Sequence, residues 1–227
     1  GEVSVINGGT LTTSLLLGSV PPSGGTGHLS IEGENSKLLL HNPSLVIGGL
    51  GDGILTLKAG GGIATTNPTT KIALTLGEST TGNGILSLSG FNTQLVTGPL
   101  TVGGAGRGTI YADDYGALLR TEAAVIGAQP TGDGSVRLNN NVSWRIDGDE
   151  LVVGGAGKGS LELATGASLR IGPQGRGNLV LGKASTGQGL LKIGAYEMPG
   201  TLLAAYVFGG QAGHTKAQVQ INHPSPN

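Results

Sequence analysis

A glycine-cornered unit recurs from near the N-terminus almost to the C-terminus of this chain, and few folds can accommodate it. Written generally it reads L-x-[LIV]-G, a few residues, then G-x-G-x-[LIV]-x-[LIV], and its clearest copy is Leu151-Val-Val-Gly-Gly-Ala-Gly-Lys-Gly-Ser-Leu-Glu-Leu163. About eight copies can be aligned. The first half ends on Leu17, Ile47, Leu76, Val102, Ile126, Val153, Ile171 and Leu181, each followed by glycine. The second half supplies the pairs Leu29/Ile31, Leu55/Leu57, Leu86/Leu88, Ile110/Ala112, Val136/Leu138, Leu161/Leu163, Leu179/Leu181 and Leu191/Ile193. Leu179 and Leu181 serve both halves on this alignment. Apolar residues two apart share one face of a strand, so each half is expected to be a strand with one buried face.

Between the glycines stand Thr26, Asp52, Asn83, Arg107, Asp133, Lys158, Arg176 and Gln188, a polar row expected to face water. The flanking glycines are expected because a tight turn visits φ > 0, where a Cβ clashes. This accounts for much of a composition with 45 glycines in 227 residues. Collagen is excluded by the lack of a G-X-Y period, and disorder by a 37% hydrophobic content. Aromatic residues make up 3%, so the core must be narrow and filled by Leu, Ile and Val.

Self-similarity at this scale marks a solenoid. The turn glycines at 18, 48, 77, 103, 127, 154, 172 and 182 are spaced 30, 29, 26, 24, 27, 18 and 10, as coils of one cross-section with variable loops would be. Stacked in parallel at about 4.8 Å, roughly ten coils make a rod about 50 Å long. One continuous β-helix domain over 1–227 is expected, with less regular coils over 1–44, regular repeats over 45–194 and looser coils over 195–227. The early segment carries a loop at Pro21-Pro22-Ser23, and helix signals are nearly absent.

The chain has no cysteine, so neither disulfides nor Cys-based metal sites enter the argument. A net charge of −1 with both signs interspersed gives no basic field for nucleic acid and no polybasic membrane patch. Neither a signal peptide nor an apolar run of membrane-spanning length is present, and the first residue is Gly1. The expectation is an excised piece of something longer that does not itself insert into a membrane.

Taken together, Ile126-Gly127, Gly132-Asp-Gly-Ser-Val-Arg-Leu138, Ser143-Trp144, the run from Leu151 to Leu161 and Ile171-Gly172 resemble the glycine-rich repeats of autotransporter passenger domains. These are the AIDA-like adhesins of Gram-negative bacteria. The tail Ile193-Gly194-Ala195, Pro199-Gly200-Thr201-Leu202, Val207-Phe208-Gly209 and Ile221-Asn222-His223 is similar to the segment that follows those repeats. The resemblance covers about residues 45 to 227. It implies a right-handed parallel β-helix, secreted through an outer-membrane barrel that is not in this chain and displayed at the bacterial cell surface. Absence of cysteine suits passage of an unfolded chain through a pore.

Motifs for chemistry are weak. A calcium nonapeptide needs G-G-x-G-x-D, but Gly108 and Gly159 occupy the sixth place of the two nearest matches. Gly177-Asn-Leu-Val-Leu-Gly-Lys183-Ala184 lacks the Ser or Thr of a phosphate loop and is itself a repeat strand, while dinucleotide binding fails for want of a helix. His28, His41, His214 and His223 are scattered without ligand spacing, with His223 expected in a structural hydrogen bond, and no Gly-x-Ser-x-Gly elbow exists. Paired carboxylates for glycoside chemistry are available at Asp113, Asp114, Asp147, Asp149 and Glu150, though polar corners explain them as well. Tyr111, Asp113, Asp114, Tyr115 and Trp144 are the candidate contact residues for a protein or sugar, although packing at a coil corner is the first expectation for Trp144.

The expected function is non-enzymatic: a rod and contact surface in adhesion or aggregation, with no cofactor or metal. Its expected partners are host-cell or bacterial surface proteins or glycans, together with self-association, and nucleic acid is not among them. The alternative is a polysaccharide lyase or glycoside hydrolase built on the same fold.

Overall fold

The computed structural model describes residues 1–18, 24–194, 200–213 and 215–221. The Pro21-Pro22-Ser23 loop, His214 and the Asn222-His223 pair lie outside them.

Alternation of period two dominates the strands, and the chain winds them into a three-faced parallel β-solenoid. Each coil holds three strands. In the fifth they are Arg107–Asp113, Leu118–Thr121 and Ala123–Ile126; in the sixth, Asp133–Leu138, Ser143–Ile146 and Glu150–Val153. Apart from those at the two ends, every strand bonds to the equivalent strand one coil before and one coil after, giving sheets of nine, eight and eight strands. The described residues thus form eight complete coils and the first strand of a ninth, about 40 Å at a strand spacing of ~4.8 Å. This is fewer than the ten expected from the sequence. Among the described residues the one helical element is the 3-10 turn Pro173–Gly175.

The difference has a simple origin: the coil has three sides, and the sequence unit shows two of them. Leu169 and Ile171 do not precede a corner of the same kind as Leu151 and Val153. They lie in Ser168–Ile171, in register with Trp144 and Ile146 on the second sheet. Leu179 and Leu181 pair with Leu151 and Val153 on the third sheet alone, and the first-sheet strand that follows carries Leu191 and Ile193. With Gly172 removed from the series, the left-handed corner glycines fall at 18, 48, 77, 103, 127, 154, 182 and 210, separated by 24 to 30 residues throughout. Arg176 leaves the polar row for the same reason, since it follows the 3-10 turn between the second and third sheets.

Inward pairs from all three sheets fill one continuous core. Leu55, Leu57, Leu86, Leu88, Leu119, Ile126, Leu151 and Leu161 are among its fully buried members, each contributing roughly 1.5–3 kcal/mol. Coil five is unusual in carrying Ala112, Thr121 and Ala124 where coil six has Leu138, Ile146 and Leu151. Trp144 of coil six leans onto that smaller coil and donates from Nε1 to Thr121 Oγ1 at 3.2 Å. The inward rows continue through Val207, Val219 and Ile221, which are exposed because no described coil stacks above them.

Two different constraints place glycine at the corner between the third and first sheets. Gly77 has φ 66°, a left-handed conformation that L side chains rarely adopt. The glycines that bracket the polar residue do not need positive φ, contrary to the expectation from turn geometry. Gly134 shows why: a Cβ there would land on the Val102 carbonyl oxygen and 2.6 Å from Gly127 N. Backbone packs directly on backbone at this corner, and any side chain would wedge the coils apart.

Candidate interaction surface

Outward positions on the first sheet are held in columns by strand register. One column runs Asp52, Asn83, Arg107, Asp133, Lys158, Gln188 and Lys216. Asn83 Nδ2 donates to Asp52 Oδ1 at 2.9 Å within it. A second column places Tyr111, Arg137, Glu162 and Lys192 in sequence, with Arg137 Nε 3.5 Å from a Glu162 carboxylate oxygen. Beside the first column lies a shallow groove of about 630 Å3, lined among others by Asp133, Lys158, Ser160, Gln188, Leu190 and Lys216.

Four of the five sequence-predicted contact residues meet at one corner of coil five. Tyr111 and Asp113 project outward from the end of Arg107–Asp113. Asp114 then turns the chain at φ 100°, and its Oδ1 accepts from the Tyr115 backbone N–H at 3.0 Å. Asp113 Oδ1 accepts from Asn140 Nδ2 at 2.7 Å and from Asn139 Nδ2 at 3.4 Å, which ties the corners of coils five and six together. Asn139 Oδ1 is buried there without a partner. Tyr111 and Tyr115 are 50% and 66% exposed. Phe91, which sequence reasoning passed over, occupies the same corner one coil earlier at 64% exposure, its ring over the backbone of Gly116. The signal for it was the aligned pattern Gly90-Phe-Asn against Asp114-Tyr-Gly.

Trp144 does not join them. It is 0% exposed, in the middle of the second-sheet strand Ser143–Ile146, because its inward position there meets the space beside the small residues of coil five. A core residue cannot touch a surface partner. As the chain's single tryptophan, it provides a direct check: its native emission should resist acrylamide quenching until the protein unfolds. Trp144→Phe should lower stability by about 1–2 kcal/mol, because the Thr121 hydroxyl loses its partner in the core. Ready quenching in the folded state would return the indole to the surface.

The remaining carboxylates are mostly engaged. Asp147 receives Arg120 Nε at 2.9 Å, Glu150 pairs with Lys183, and Glu122 pairs with Lys71. Exposed pairs of this kind add about 0–1 kcal/mol each. Among the described residues, no three His, Asp or Glu side chains cluster as metal ligands would. On the outer face of the second sheet, Arg120, Arg145 and Arg170 stand in register on consecutive strands. Sequence reasoning missed this row, although Arg recurs there every 25 residues, as in Ser143-Trp-Arg-Ile and Ser168-Leu-Arg-Ile.

Comparison with known proteins finds one distant similarity. Over 166 residues the chain is 28% identical to a protein of Escherichia coli (strain K12) described as "Uncharacterized protein YuaQ". The match covers 71% of this chain but 12% of that protein, so the chain spans about an eighth of the relative's length. No protein-family model and no solved structure matches.

Proposed function

We propose that this chain is a section of an autotransporter-type passenger, a non-enzymatic rod at the bacterial surface whose exterior makes repeated contacts in adhesion or aggregation. One observation carries the reading. Each coil adds one outward side chain to every column along one axis while the interior is filled by packed, mostly aliphatic residues, so recognition falls to the outside of the rod. Repetition of weak contacts along an axis is how multivalent attachment gains strength. The exposed Phe91, Tyr111 and Tyr115 corner adds rigid aromatic area of the sort that anchors sugars or proteins.

Two features support passage across an outer membrane. Each coil stacks on its immediate neighbours, so folding can propagate coil by coil as a chain emerges. The absence of cysteine leaves no disulfide to hinder threading.

The test compares cells displaying the full-length parent with cells displaying a version that lacks this segment. Attachment to host cells, or to one another, should fall while surface display stays normal. Unchanged attachment would reduce the segment to a spacer. Release of reducing or unsaturated ends from polysaccharides by the purified chain, abolished by Asp113→Ala, would install the enzyme alternative instead.

A further inference from the structure

Along the outer columns of the first sheet, charge alternates: Arg107, Asp133 and Lys158 in one, Arg137, Glu162 and Lys192 in the other. Such alternation is what a solvated face of stacked strands requires, because like charges directly opposite on neighbouring strands are destabilising. The second sheet breaks the rule. Arg120 sits opposite Arg145, and Arg145 opposite Arg170, three cations separated by about 4.8 Å per step along the rod. Asp147 pairs with Arg120, and no ion pair forms to Arg145 or Arg170 among the described residues. Beside them runs a column of hydroxyls, Ser143, Ser168 and Thr201, with Ser143 Oγ and Ser168 Oγ 3.0 Å apart.

We propose that this face binds a linear polyuronate, an acidic polysaccharide lying along the rod axis with successive carboxylates on Arg145, Arg170 and, in exchange with Asp147, Arg120. The planar guanidinium fork matches a carboxylate in bidentate fashion, which explains arginine rather than lysine at all three positions. The neighbouring hydroxyls are suited to the sugar hydroxyls between the charges. An axial row of cations at strand spacing selects a polymer with closely repeated charge over a single small anion. Single-stranded nucleic acid fits less well, because its binding combines a basic track with aromatic stacking platforms. The outward residues around this row include Val96, Leu118, Ser143, Ser168, Thr201 and Leu203, none of them aromatic.

The proposal narrows the adhesion reading, on which it rests for its biological setting, to one ligand chemistry and one face. Its test uses the purified chain, with polygalacturonate as probe, neutral dextran and a single-stranded oligothymidylate as comparisons, and calorimetry or interferometry at low and moderate salt. Polygalacturonate should bind, dextran should not, and added salt should weaken the complex. The double variant Arg145→Ala/Arg170→Ala should lose affinity about tenfold or more. Arg145→Lys/Arg170→Lys should fall between it and the parent, since charge remains while the fork is lost. Both arginines are exposed and stand opposite like charges, so the alanine variant's thermal midpoint should not fall and lost binding cannot be put down to unfolding. Equal binding by the alanine variant, or tighter binding of the oligothymidylate, would overturn the proposal. Failure here with attachment intact on displaying cells would remove the glycan site and leave the adhesion reading standing.

Discussion

Replacing Gly134 by alanine should cost about 3 kcal/mol, the upper range for forcing atoms into a packed interior, although only one methyl group is added. The new Cβ would meet the Val102 carbonyl and the Gly127 amide, backbone atoms in two preceding coils that cannot rotate away as a side chain could. Relief requires separating the coils, which lengthens ladder bonds such as that from Gly127 N to Val102 O, 2.8 Å in the native fold. Gly62→Ala supplies the comparison. There the nearest atom to the added Cβ is Gln94 O at 4.0 Å, and the backbone does not occupy the left-handed region. That variant should be neutral or gain about 0.4–1 kcal/mol from a less flexible unfolded chain. Denaturant midpoints of the two proteins decide the matter: similar values would mean that corner glycines are dispensable and that backbone contact does not set the coil spacing.

Leu161→Asp should be more damaging still, on the order of 4–5 kcal/mol, because a carboxylate would enter a fully buried position without a partner. Leu161 is 0% exposed between Val136 below and Leu191 above. A solenoid distributes stability through neighbouring contacts, so the lesion should stay near coil seven before it spreads. Limited proteolysis should therefore cut the variant within about residues 154–194 and leave an N-terminal fragment of stacked coils. Parent-like resistance would place Leu161 outside the core and contradict the inward register of the first sheet.

Much of this architecture was legible because its determinants are local. Leu-x-Leu pairs announce a buried strand face, and all but the last of those assigned to the first sheet are buried. Tyr111, Asp113, Asp114 and Tyr115 are adjacent in sequence, so their meeting at one corner follows from chain connectivity. The second sheet was harder to see. Its strands are three or four residues long without a glycine signature, and inward positions after Leu95 and Leu119 carry Thr97 and Thr121. A search for aliphatic pairs passes over those hydroxyls, which are tolerated inside because they find partners, Thr121 with the Trp144 indole. Trp144 stands among the candidate contact residues, with a coil corner as its expected packing place, for a related reason. Nothing local shows that Ala112, Thr121 and Ala124, from three different strands, leave room for an indole.

By itself, the amino-acid sequence determined that the chain coils, where most corners fall and which aliphatic residues turn inward, since period two and glycine act over a few neighbouring residues. Only the tertiary structure decided that each coil has three sides and that Arg120, Arg145 and Arg170 form a single row. Coil lengths vary between 24 and 30 residues, so the distance along the chain does not say which side chains become neighbours. That is settled when backbone ladders lock one coil onto the next.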